Sequence, residues 1–160
     1  MPVNAFLKYG DIEGETLNEQ HPKHIEIESF SWSGMHTGSM ESGAGLSGGK
    51  AQVADLTLSK KMDKSSPKLH LACCTGDPVT EAYLVVDRAG SSPTTYLKIT
   101  LNDAVVSSWS VSAGGDGLPM EQLSLSYTKV TIAYIPVDKE GKPQGAIEAI
   151  YDLKTSEAEG

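Results

Sequence analysis

Asp63 to Pro78 reads DKSSPKLHLACCTGDP, the one stretch of this chain that carries a complete set of helix signals. Ser65 or Ser66 supplies an N-cap, and Pro67 fits the first helical position, where its missing N–H costs nothing. Gly76 closes the far end and Pro78 forbids continuation. Leu69, Ala72 and Cys73 then fall on one face at helical spacing and are the expected core contacts, with Lys68 and Thr75 pointing elsewhere. About ten residues do not hold a helix alone in water, so this one must be docked on something larger. Everything around it reads as strand and turn, which makes it a lone helix in a β sequence.

Upstream, residues 3–9 (VNAFLKY) form a strand and residues 10–20 a loop. From Lys23 to Ser33 the apolar residues run Ile25, Ile27, then Phe30, Trp32. The period-two pattern changes phase around Glu28 and Ser29, as a β-bulge would make it. The opposite face then carries Glu26, Glu28, Ser31 and Ser33. Residues 34–49 (GMHTGSMESGAGLSGG), rich in glycine and serine, are expected to be one long loop. Lys50 to Lys60 alternates again, with Ala54, Leu56 and Leu58 inward and Asp55, Thr57 and Ser59 outward.

Downstream of the helix, Glu81 to Arg88 and Tyr96 to Leu101 are strands separated by AGSSPTT, and Asn102-Asp103 marks a tight connection. Ala104 to Ala113 sets Val105, Trp109 and Val111 on one face and Val106, Ser108, Ser110 and Ser112 on the other. Glu121 to Val137 is the longest strand and shifts phase between Tyr127 and Val130. Asp138 to Gln144 is a hairpin turn, Gly145 to Leu153 the returning strand, and 154–160 a short acidic tail expected to fray. Seven or eight short strands with one docked helix describe a mainly β fold, a two-sheet β-barrel in a single domain over residues 1–153. Edge strands in such a fold need pairing, and oligomerisation supplies it.

The chain has 160 residues, 39% of them hydrophobic, and a formal net charge of −8 with Arg88 its single arginine. That balance argues against nucleic acid and against anionic membranes. The first ten residues lack the pattern of a signal peptide and no apolar run is long enough to span a bilayer, so synthesis and initial solubility in the cytoplasm are expected. Cys73 and Cys74 are adjacent and point in different directions on the helix, which strains a disulfide between them; they read as reduced packing thiols.

No active site or cofactor site emerges. His21, His24 and Glu26 lack the partners of a metal centre. His70 and Cys73, three apart on the helix, invite a thiolate–imidazole pair, but no orienting third group or oxyanion site accompanies them. Gly45 to Lys50 ends in GGK, yet Ala51 stands where a phosphate-binding loop needs a hydroxyl. Ser110 and Ser112 lie outside any G-x-S-x-G elbow. No enzyme activity, metal or cofactor is expected.

Several of these segments together resemble the Hcp family, the tube proteins of bacterial type VI secretion systems. The resemblance covers nearly the whole chain: AFLKYGDIEGET, IEIESFSWS, the Gly/Ser/Met loop ending in Lys50, DLTLSKKMDKSSPKLHLACCTG, the RAG at Arg88 to Gly90, and EQLSLSYTKVTIAY. The Cys73-Cys74 pair and the short acidic tail stand outside that pattern. It implies a barrel with one flanking helix, hexameric rings stacked into a tube within a contractile sheath, contacts with a VgrG spike and baseplate, small effectors in the lumen, and ejection from the cell. Under that reading Ser31, Ser33, Ser110 and Ser112 face the lumen or a neighbouring subunit, with outer solvent the plainer alternative. Met35, Met40, Gly43, Leu46 and Gly48 belong to a loop that contacts the next ring. With seven residues after Leu153, the toxin domain that some members of that family append is not expected here. The competing reading is a monomeric β-barrel that binds a carbohydrate or small ligand, which native mass distinguishes.

Overall fold

A computed structural model describes residues 4–37, 50–90, 93–115 and 117–160. In chain order the elements are β1 (Asn4–Tyr9), β2 (Ile25–Ile27), β3 (Ser29–Ser31), β4 (Gly34–Thr37), β5 (Lys50–Val53), β6 (Leu56–Lys61), α1 (Ser66–Thr75), β7 (Val79–Asp87), β8 (Thr95–Ser112), β9 (Met120–Ser126), β10 (Lys129–Tyr134), β11 (Ile147–Asp152) and β12 (Glu157–Glu159).

The phase change at Glu28 turns out to be a change of sheet. β2 pairs with β1, whereas β3 pairs with β6, and Glu28 between them donates its N–H to the Ser59 carbonyl at 2.8 Å. One sheet runs β12-β11-β10-β8-β7-β1-β2 and the other β8-β9-β6-β3. They share β8 along one seam and meet again where β2 passes into β3, so the strands close around a common core. Leu7, Ile25, Leu56, Leu58, Leu84, Ile99, Leu101 and Leu123 fill that core and are fully buried.

The β8 seam is a bend in one long ribbon. β8 is continuous through Asn102-Asp103, which are a corner inside the strand rather than the expected connection between two strands. Asp103 takes φ +51°, a left-handed conformation that Asp tolerates better than most residues. Opposite it the predicted long strand breaks into β9 and β10. Thr128 holds the two bends together, donating its N–H to the Asn102 carbonyl at 3.0 Å and its hydroxyl to the Asp103 carboxylate at 2.9 Å. A register shift between Val106 and Ser108 then reverses the phase, which is why Val106, expected on the outer face, is buried.

The helix docks as expected through Leu69, which is fully buried, with Ala72 and Cys73 partly buried against the core. Gly76 caps it at φ +69°, its N–H bonded to the Ala72 carbonyl at 2.9 Å. At the other end Pro67 occupies the second helical position instead of the first. Ser65 holds the N-cap position, but its hydroxyl bonds the Asp63 carboxylate instead of a helix N–H, and the Ser66 hydroxyl bonds Glu121.

Three further expectations are corrected. Residues 34–37 are not loop: they form β4, which pairs with β5 as a separate two-stranded ribbon. Ala54 is exposed because β5 ends before it and β6 begins after it, while the inward alternation of Leu56 and Leu58 continues into Lys60. Residues 157–159 do not fray but add β12 to the edge, with Ala158 opposite Tyr151.

Candidate functional site

Side chains on directly paired residues of an antiparallel sheet lie on the same face. Pairing across β3, β6, β9 and β8 therefore builds rows: Ser31, Thr57, Ser124 and Ser108 form one, and Ser29, Ser59, Gln122 and Ser110 the next. Leu58, Leu123 and Leu125 point the other way into the core. The result is a sheet face of eight small or amide side chains without a charge. A third row, Lys61, Met120 and Ser112, borders it.

The hydroxyls are linked to one another. Ser124 shares hydrogen bonds with Ser108 at 2.6 Å and with Ser107 at 2.7 Å, and Ser107 also donates to the Asp55 carboxylate at 2.6 Å. Such a face offers many weak polar contacts and no single strong one. Among the expected residues, Ser31, Ser110 and Ser112 share this face. Ser33 does not, because it follows Trp32 into a groove. Ser29, Thr57, Ser59, Gln122 and Ser124 complete the rows, and alternation of Thr57 and Ser59 with Leu56 and Leu58, and of Gln122 and Ser124 with Leu123 and Leu125, was the signal for four of them.

That groove is apolar, about 690 Å³ in volume, and runs between the base of the β4–β5 ribbon and the β10–β11–β12 sheet. Trp32, Val53, Val130, Ile132, Ile150 and Tyr151 line it, with Ser33 and Gly34 at one side. Trp32 is fixed by donating its indole N–H to Tyr127 Oη at 2.7 Å, and Tyr127 donates in turn to the Ala54 carbonyl at 2.7 Å. Burial raises the Tyr127 phenol above its ordinary value. Met35 is exposed on β4 at the entrance to the ribbon, while Met40, Gly43, Leu46 and Gly48 lie outside the described residues.

The remaining candidates have structural partners. His21 Nε2 lies 2.8 Å from the buried Asp87 carboxylate and its ring packs on Phe6 at 4.9 Å. His24 bonds Tyr83 Oη at 3.0 Å and the Pro22 carbonyl at 2.9 Å. Together they clamp residues 11–24 over β1, and a Cβ on Gly14 would fall 2.4 Å from the His24 carbonyl oxygen. Burial, foremost, lowers His24 below the ordinary histidine value. Among the described residues no three His, Cys, Asp or Glu side chains are grouped to hold a metal. The His70 ring packs on Trp109 at 4.8 Å with the two planes tilted by 57°, and its Nε2 lies 3.8 Å from the thiol of Cys74.

Comparison with known proteins places these features in company. A family profile described as type VI secretion system effector, Hcp, matches residues 6–134. Protein hcp1 of Pseudomonas aeruginosa is 36% identical over 147 residues, spanning 91% of each chain. A solved type six secretion system protein superposes with a TM-score of 0.91 at 30% identity, covering 98% of this chain and 99% of its own. Hcp1 from Salmonella typhimurium superposes with a TM-score of 0.80 at 30% identity, covering 99% and 100%.

Proposed function

The chain belongs to the Hcp family and is a subunit of the type VI secretion tube, and from that premise we propose that six copies close into a ring whose lumen is lined by the uncharged serine face. The eight-residue polar patch across β3, β6, β9 and β8 carries this reading. A surface of hydroxyls with few fixed charges contacts small effector proteins in the bore without trapping them, with Ser31 and Ser110 foremost and Ser112 at its margin. The protein acts by assembly and passage, not by catalysis.

Ring closure uses the apolar groove beside Trp32 and Tyr151, which an isolated subunit leaves open to water. Exposed edges at β12 and along the β4–β5 ribbon supply further pairing surface. Ser33 then belongs to contacts between copies, and residues 34–49, with Met35, Met40, Gly43, Leu46 and Gly48, to contacts between successive rings. The remaining partners are a VgrG spike at the tip and a sheath and baseplate around the tube. Export runs through the secretion machine itself. Among the described residues no helix is long and apolar enough to cross a membrane.

Native mass spectrometry of the purified chain tests the ring: a species of six times the 17.0 kDa chain mass is expected, and a monomer at micromolar concentration overturns it. Ser31→Gln tests the lumen. Loss of effector co-purification with ring mass retained supports the placement, whereas unchanged effector recovery removes Ser31 from the passenger surface.

A further inference from the structure

We propose that His70 and Cys74 form a chelating site for a soft or borderline d-block cation, of the Zn²⁺ or Cu⁺ class, on the last turn of α1. The two residues are four apart and so share one helix face, and Cys74 Sγ stands 3.8 Å from His70 Nε2. Around a tetrahedral zinc, a thiolate at about 2.3 Å and an imidazole nitrogen at about 2.0 Å lie roughly 3.5 Å apart. The donors are already at the span that one ion bridges.

The geometry is supported from behind. The His70 ring rests on Trp109 at a centroid distance of 4.8 Å, and Trp109 is itself fixed by donating its indole N–H to Glu121 at 2.7 Å. This packing limits the orientations open to the imidazole, and groups that orient a ligand influence its affinity for metal. The thiol of Cys74 is exposed, while Cys73 is partly buried against the core.

Position on the helix decides between ligation and nucleophilic chemistry. Activated thiols favour helix N-termini or adjacent fixed cations. Cys74 sits at the carbonyl end, where the dipole favours a bound cation, and no basic residue occupies that last turn. One sulfur and one nitrogen donor select soft or borderline metals over Mg²⁺ and Ca²⁺. Binding replaces the thiol proton, which leaves to solvent, and the remaining coordination positions are open to water or a small donor.

Co²⁺ titration of the reduced full-length protein tests the site, read by the thiolate-to-cobalt charge-transfer band in the near ultraviolet. A saturable band at one Co²⁺ per chain is expected, displaced by Zn²⁺ and unchanged in Cys73→Ser. It should vanish in Cys74→Ser, and affinity should fall by at least about tenfold in His70→Gln, since even outer-shell losses cost about 10–100-fold. Both substituted positions are exposed, and circular dichroism of each variant verifies that α1 persists. No band, a band that survives Cys74→Ser, or wild-type affinity in His70→Gln overturns the proposal. None of these readings depends on ring formation, so failure here is separate from failure of the tube reading.

Discussion

Lys60 Nζ lies 2.8 Å from Glu121 Oε2, and both side chains are completely buried. Lys60 also reaches the Asp63 carboxylate at 3.1 Å, the Ser66 hydroxyl at 3.3 Å and the Lys61 carbonyl at 2.9 Å, and the other Glu121 oxygen accepts from Trp109. β6, β8, β9 and the start of α1 therefore converge on one buried lysine held between two carboxylates. Breaking one side leaves a buried charge without its counterion, so Lys60→Met alone should cost about 3–5 kcal/mol. Lys60→Met with Glu121→Leu should be markedly less destabilising than that single change. Urea unfolding midpoints of the variants check this, and a double variant no better than the single one would contradict it.

The helix faces make a second contrast. Leu69→Ala removes a fully buried side chain and should cost about 2–5 kcal/mol, while Lys68→Ala on the exposed side should stay within about 0.5 kcal/mol. Equal losses in denaturant melts would mean that α1 docks by another face.

Tyr127 bridges two elements with one hydroxyl. Tyr127→Phe strands both the Trp32 indole N–H and the Ala54 carbonyl, and should lower stability by about 1–3 kcal/mol. A concurrent change in Trp32 fluorescence is expected, and a variant with unaltered emission and melting would show that the bridge contributes nothing.

Acid should weaken the fold through His24. Its folded-state value is lowered, so above the ordinary value of 6.5 both folded and unfolded chains hold it neutral and no penalty arises. As pH falls through that value, the unfolded chain takes up a proton that the folded one resists, and stability declines. His24→Gln should flatten this part of the pH–stability curve measured between about pH 8 and pH 5. A variant with the same slope as wild type would assign the acid sensitivity elsewhere.

The groove gives a prediction about assembly. Ala149 lies in its wall and is exposed, so Ala149→Arg puts a charge into the proposed contact between copies without touching the core. Monomers with an unchanged circular dichroism spectrum are expected in native mass measurements. Intact rings would move the subunit contact off this groove.

Alternation told which residues point inward along a strand, and it did so well for Ile25, Ile27, Leu56 and Leu58. It does not tell which strand lies alongside. The break at Glu28 looks the same in sequence whether the chain bulges or crosses to another sheet, because that choice depends on the distant Ser59 carbonyl. Asn102-Asp103 has the composition of a turn, and only Thr128, bonded to both, makes it a corner. The serine face was half visible for the same reason: Ser31 and Ser110 declare their own orientation, but their neighbours Thr57, Ser124 and Gln122 join them through register. His70 had two cysteines within one turn, and core packing of Cys73 left Cys74 as its neighbour. Lys60 was hidden by its chemistry, since a charge at a core position is expected only once its counterion is known.

The bent ribbon of β8, β9 and β10 belongs to both sheets at once, with Thr128 pinning its corner. Force applied to one wall of the subunit, as when a tube is driven forward, thus travels along covalent backbone into the other wall without crossing a side-chain interface. Separating the walls requires tearing paired strands on both sides of the corner together. The subunit should therefore bear load as one body and yield abruptly, with a single rupture event in a pulling experiment instead of a stepwise peeling of sheets.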